Sequence, residues 1–153
     1  MQTSKTSLEL IKTNLRRYTF ESLNFKEWTE KNSIGKVLNL FSGRTVLNID
    51  EIRNDIDINM VADFNMDAVE FVKYWVEKNK EVKFDTVILD PPYSYRKAME
   101  KYNGKYTSRF RLLANILPFI LNEKSRIISN RYQSSFMGEK TGFKIVKLSV
   151  LDH

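Results

Sequence analysis

The feature that most constrains this chain is an apolar, β-branched run cut short by two prolines. Phe84-Asp85-Thr86-Val87-Ile88-Leu89 has the length and residue types of a buried strand, and Asp90-Pro91-Pro92 follows it at once. Proline has no N–H for a ladder and restricts the residue before it, so the strand must stop there and leave Asp90 at its C-terminal end.

The flanking sequence places this strand in a series. Gly35 precedes Lys36-Val37-Leu38-Asn39-Leu40-Phe41, a compact apolar run closed by Ser42-Gly43, which reads as strand one. Ile52-Arg53-Asn54-Asp55-Ile56-Asp57 and Met60-Val61-Ala62-Asp63-Phe64 are the next strand candidates, close together. Residues 67–80 carry Ala68, Val69, Phe71, Val72, Trp75 and Val76 at helical spacing, with Asp67 as N-cap and Lys78 and Lys80 at the far end. After the prolines, residues 94–102 and 108–122 predict helices separated by Asn103-Gly104, and Arg126–Ser129 and Phe143–Val150 predict two more strands. Ahead of strand one, Leu8, Ile11, Leu15, Tyr18, Phe25 and Trp28 recur at near-helical spacing and predict two short helices.

Strands alternating with helices predict an α/β domain with a largely parallel sheet, whose ligands sit at the carboxyl ends of the strands. At 153 residues the chain has the length of one domain, with residues 1–33 as a helical lead-in and 34–153 as the core. No apolar run approaches the roughly 20 residues needed to span a bilayer. Met1–Ser7 is polar with one lysine, unlike the apolar core of a secretory signal, so a cytoplasmic protein without membrane contact is expected.

Composition narrows the chemistry. There is no cysteine, and the one histidine is the terminal His153. Disulfides, thiolate metal sites, cysteine nucleophiles and most histidine acid–base schemes are excluded, leaving carboxylates, backbone and aromatic faces, with no metal expected. A net charge of +6 suits a polyanionic partner, though it also serves solubility.

Asp90-Pro91-Pro92-Tyr93 fits one difficult reaction. An exocyclic amino nitrogen on a base is a poor nucleophile, because its lone pair is delocalised into the ring. A carboxylate and a backbone carbonyl, both pure acceptors, can hold its two N–H bonds and favour a pyramidal nitrogen with the lone pair directed outward. Asp90 and the Pro91 carbonyl are suited to this, consecutive prolines stiffen the loop, and Tyr93 offers a flat face to a base taken out of its stack. The competing reading is an ordinary strand-terminating turn with Tyr93 filling a core edge.

At this point the sequence resembles the amino-methyltransferases of DNA and RNA, whose hallmark is a loop of Asp or Asn, two prolines and an aromatic after the fourth sheet strand. Asp90-Pro91-Pro92-Tyr93 matches it in full; Leu38-Asn39-Leu40-Phe41-Ser42-Gly43 is similar to the family's first cofactor motif and Asp67-Ala68-Val69-Glu70-Phe71-Val72 to its third. The resemblance spans Lys36 to Arg131 and extends to compact methylase-like proteins of archaea and their viruses, in which the loop continues into Ser94-Tyr95-Arg96-Lys97. It implies a Rossmann-like fold that binds S-adenosylmethionine and methylates an amino group of a base, adenine N6 in DNA first. Cytosine N4 and RNA guanine N2 stay open, and so does a non-catalytic nucleic-acid-binding relic. One departure is visible: Ser42-Gly43-Arg44-Thr45-Val46 runs almost directly toward another strand, without the family's second glycine and the helix that follows strand one.

The resemblance also implies roles for supporting residues. An acid ending strand two accepts from the cofactor's ribose hydroxyls, with Asp55 first, Asp57 second, and Asp50 if that strand lies earlier; a solvated acidic loop is the alternative. Asp67 accepts from the adenine amino group or simply caps its helix. Phe41, Ser42 and Gly43 line the methionine end, although a strand phenylalanine is more often core. Lys97, Lys101, Lys105 and Arg109 recur every four residues with Tyr102, Tyr106 and Phe110 interleaved, and with Arg96 and Arg131 they suit phosphate tracking and base stacking; a solvated helical face is the alternative. No separate recognition domain is evident, so sequence specificity falls to a homodimer or a recognition partner, unless it is low.

Overall fold

The computed structural model describes residues 6–12, 19–90, 105–130, 137, 141–144 and 146–152, with the backbone alone for 105–110 and 148–152. Along the chain these form β1 (Ser7–Lys12), α1 (Leu23–Asn32), β2 (Val37–Asn39), β3 (Glu51–Arg53), α2 (Ala68–Lys78), β4 (Phe84–Leu89), α3 (Lys105–Ile116), β5 (Leu121–Ser129) and β6 (Lys147–Asp152). Four strands make a parallel sheet in the order β3-β2-β4-β5, and β1 pairs in parallel with β6 in a separate two-stranded sheet.

Helices cover both faces of the four-stranded sheet, as its apolar strands require. On one face Leu38, Leu40, Val87 and Leu89 meet Val69, Phe71, Val72 and Trp75 of α2 and Leu113 of α3. On the other, Val37, Ile88 and Ile128 pack with Phe25 of α1 and Leu47. Phe71 and Phe84 are completely buried, and each contributes about 1.5–3 kcal/mol from its removal from water. Helix α2 follows the predicted span, and the Asp67 carboxylate caps it by accepting from the N–H groups of Val69 (3.0 Å) and Glu70 (3.2 Å).

Buried and half-buried polar groups fix where β2 begins. Thr86 Oγ1 donates to Ile34 O and accepts from Ile34 N–H, while Asp85 accepts from Lys36 N–H at 2.9 Å. Gly35 bridges these anchors at φ +54°, and a Cβ there would fall 2.1 Å from Asp85 Oδ2. Hydrogen bonds from Lys36 and then Asn122 hold the Asp85 carboxyl below its ordinary pKa.

Several elements differ from expectation. The first lead-in helix is instead β1 over Ser7–Lys12. Its alternation turns Ile11 inward and leaves Leu8 and Leu10 exposed, and β6 supplies a ladder that outweighs the weak helical spacing of so short a segment. Leu15 and Tyr18 lie outside the described residues. The second lead-in helix is present as α1, where Phe25 stacks on Trp28 and on Phe20 of the 3₁₀ turn just before the helix.

The third predicted strand shrinks to a single parallel bridge between Asn54 and Phe64, and β3 ends at Arg53. Asp55 and Asp57 each accept from the backbone N–H two residues on, at 2.9 Å, and these local turns displace the ladder. Helix α3 starts earlier than expected and stops at Ile116, because Pro118 turns the chain into a short 3₁₀ segment before β5. The last strand runs over Lys147–Asp152 and joins β1 rather than the main sheet. The predicted helix over residues 94–102 lies outside the described residues. No described helix is long and apolar enough to cross a membrane.

Candidate active site

The strand order fixes where a ligand can sit. From β2 the chain moves to one neighbour, β3, and then crosses through α2 to the other, β4. The connections thus diverge between the carboxyl ends of β2 and β4, where open parallel sheets leave a crevice. Leu40–Gly43 leave β2 on one side of that point and Asp90 leaves β4 on the other, with Leu40 N–H donating to Ile88 O at 3.2 Å.

No helix follows β2. The stretch from Leu40 to Asp50 is held by carboxylates from its surroundings: Glu51 accepts from Leu47 N–H at 3.2 Å, and Glu30 accepts from Asn48 N–H and from Lys26 Nζ. Burial pushes the Glu51 carboxyl above its ordinary pKa despite Asn39, Leu47 and Arg53 around it. Burial pushes Glu30 the same way, but hydrogen bonds from Lys26 and Asn48 outweigh it and leave the carboxyl low.

Gly43 sits in the left-handed region at φ 59°, which a residue with a Cβ adopts at a cost. Its N–H donates to Asp55 Oδ2 (2.8 Å), and its carbonyl accepts from Arg53 Nη2 (2.9 Å). Gly43 is thereby joined to Asp55, two of the predicted cofactor positions, while Ser42 N–H donates to the neighbouring Asn54 carbonyl. Asp57 is exposed and accepts from Asn59, and Asp67 uses Oδ2 to cap α2. Asp50 is removed from the set, because it precedes β3 and its carbonyl accepts from Val37 N–H at the amino end of the sheet.

Asn54 ties these loops together. Its N–H donates to Asn39 O and its carbonyl accepts from Ser42 N–H, both at 2.9 Å. Its side-chain amide donates to Leu40 O (3.2 Å) and Met66 O (2.9 Å), and its Oδ1 accepts from Met66 N–H (3.1 Å). One residue, 1% exposed, therefore positions the end of β2 and the entry to α2 together. In the sequence Asn54 reads as one more position of a strand; a polar residue shortly after a β-branched one and directly before an acidic run is the available signal.

No family model, curated protein or solved structure matches this chain.

Two buried oxygens at the carboxyl end of β2 and the loop after it, Asn39 Oδ1 and Ser42 Oγ, have no hydrogen-bond partner among the described residues. Phe41 packs half-buried against the larger core cluster. Across the divide, Asp90 is half-buried and its Oδ1 accepts from Asn130 Nδ2 at 3.1 Å. Pro91, Pro92, Tyr93, Arg96, Lys97, Lys101 and Arg131 lie outside the described residues. Lys105 and Arg109 lie four apart in α3 and so share a face of that helix.

Proposed function

We propose that this chain is a Rossmann-like, S-adenosylmethionine-dependent methyltransferase acting on an exocyclic amino group of a nucleic-acid base, with adenine N6 in DNA as the first target. One observation carries the reading: Asp90 stands at the carboxyl end of β4, beside the point where the sheet's connections diverge, directly before Pro91-Pro92-Tyr93.

The residues around the crevice fit such a cofactor. Asp55 and Asp57 are acceptors for a ribose diol, since a carboxylate has lone pairs beyond those used by Gly43, Asp57 and Asn59 N–H. Asp67 is an acceptor for an adenine amino group, and the buried Ser42 hydroxyl, unpartnered among the described residues, lies beside Phe41 and Gly43, the positions assigned to the methionine end. When bound, S-adenosylmethionine supplies an electrophilic methyl on sulfur. The protein's part is to orient the acceptor nitrogen. Asp90 accepts one N–H, the Pro91 carbonyl accepts the other, and the proton released after transfer leaves toward the carboxylate or solvent. Tyr93 stacks on the extruded base. Lys105 and Arg109, with Arg96, Lys97, Lys101 and Arg131, neutralise phosphates.

The helixless stretch after β2 favours a second reading, a nucleic-acid-binding relic of the fold, because a helix N-terminus there is a ready site for a cofactor's carboxylate. Nucleoside analysis by mass spectrometry separates the readings. After incubation with S-adenosylmethionine and duplex DNA, single-stranded DNA or structured RNA, N6-methyladenine from DNA is the expected product. N2-methylguanine from RNA moves the substrate class. No methylated nucleoside, together with no calorimetric binding of S-adenosylmethionine, leaves the relic.

A further inference from the structure

We propose that Asn130 is a positioning residue for Asp90, an inference that rests on the methyltransferase reading above. Asp90 and Asn130 each directly follow a strand, β4 and β5, and the pairing of Ile88 with Ile128 carries the two side by side on the same face of the sheet. Asn130 grips this junction twice. Its backbone N–H donates to Leu89 O at 3.0 Å, and its Nδ2 donates to Asp90 Oδ1 at 3.1 Å.

The two bonds do different work. The backbone bond extends the ladder to its last residue and is open to any residue except proline. The side-chain bond does not extend the ladder; it acts on the carboxylate. The terminal torsion of an aspartate is broad, so an unrestrained carboxylate samples many directions. Holding Oδ1 sets the plane of the group, and with it the direction in which the carboxylate meets a substrate N–H. Orientation of this kind lowers the barrier without new chemistry. Asn130 also has the right polarity: the aspartate is an acceptor, so only a donor can hold it, and the amide must present its nitrogen.

The test is steady-state kinetics on whichever nucleic acid the wild type methylates, with Asn130→Ala and Asn130→Asp, after thermal unfolding has established that both variants fold. Asn130→Ala should lower kcat about 10- to 100-fold, the worth of one hydrogen bond to a charged group, with KM for S-adenosylmethionine unchanged. Asn130→Asp keeps the shape and, ionised, cannot donate and sets a second carboxylate against the first, so at a pH high enough to ionise both carboxyls its kcat should fall below that of Asn130→Ala. A purely structural role predicts the reverse order, with the isosteric variant closer to wild type. Variants as active as wild type, or Asn130→Asp milder than Asn130→Ala, overturn the inference and leave the methyltransferase reading intact. Wild-type protein that methylates none of duplex DNA, single-stranded DNA and RNA overturns both.

Discussion

The two sides of the four-stranded sheet are built from opposite charge. Beside β3, residues 50–70 contain Asp50, Glu51, Asp55, Asp57, Asp63, Asp67 and Glu70 against Arg53 alone. At the other edge, α3 and β5 contain Lys105, Arg109, Arg111, Lys124 and Arg126 against Glu123 alone. The charges are also used differently. On the acidic side Asp55, Asp57, Asp63 and Asp67 all accept from backbone N–H groups, so the carboxylates shape the loops they belong to. On the basic side Arg126 reaches Asn32 O, in a contact between exposed groups. Substitutions should therefore register as lost stability beside β3 and as lost binding beside β5.

The strongest way to break that contrast is Asn54→Ala, which strips the side-chain partner from Met66 N–H, from the buried Leu40 carbonyl and from the half-buried Met66 carbonyl. A loss of about 2–4 kcal/mol is expected, read as a lower urea midpoint; a loss under about 0.5 kcal/mol, the range of surface changes, would mean that the acidic side is not built around this residue. Gly43→Ala should cost about 1–2 kcal/mol in the same experiment, because its left-handed backbone places a Cβ too close to a carbonyl oxygen.

Glu51→Gln should act more weakly and in the opposite sense. The raised carboxyl means that the folded protein holds its proton more tightly than the unfolded chain does. The associated stability is full below the ordinary carboxylate pKa and is lost as pH rises through the folded value. Denaturation across pH 4 to 8 should show Glu51→Gln gaining on wild type as pH rises; a gap independent of pH would contradict the burial of a charged Glu51. The smallest stability effect belongs to the basic side. Lys105→Glu with Arg109→Glu should change unfolding by no more than about 0.5 kcal/mol per site, yet weaken duplex binding and reduce its salt slope by about 0.9 for each phosphate no longer neutralised.

Legibility in the sequence followed the range of the forces involved. Helix α2, its Asp67 cap and strand β4 were readable because period, cap and the two prolines are local signals. The β1 strand is not legible because its partner β6 lies more than a hundred residues away, and six residues carry too little local preference to reveal it. Within the candidate site, Asp90, Gly43 and Asp55 were legible as residue types at strand ends. The hub made by Asn54 and the grip of Asn130 on Asp90 were not, since both arise from the register of neighbouring strands. The exposed Ile56 shows the same limit: β-branched residues suggest a strand over 52–57 where Asx turns prevail.

The most direct test of the central claim is single-turnover transfer of labelled methyl from S-adenosylmethionine to duplex DNA, single-stranded DNA and structured RNA by wild type and Asp90→Ala. Label incorporated by the wild type and reduced at least about 100-fold in the variant, the scale of losing a principal electrostatic group, is the predicted result. Equal incorporation by both proteins would contradict Asp90 as the group that orients the acceptor nitrogen, and no incorporation by the wild type on any of the three would contradict methyl transfer itself.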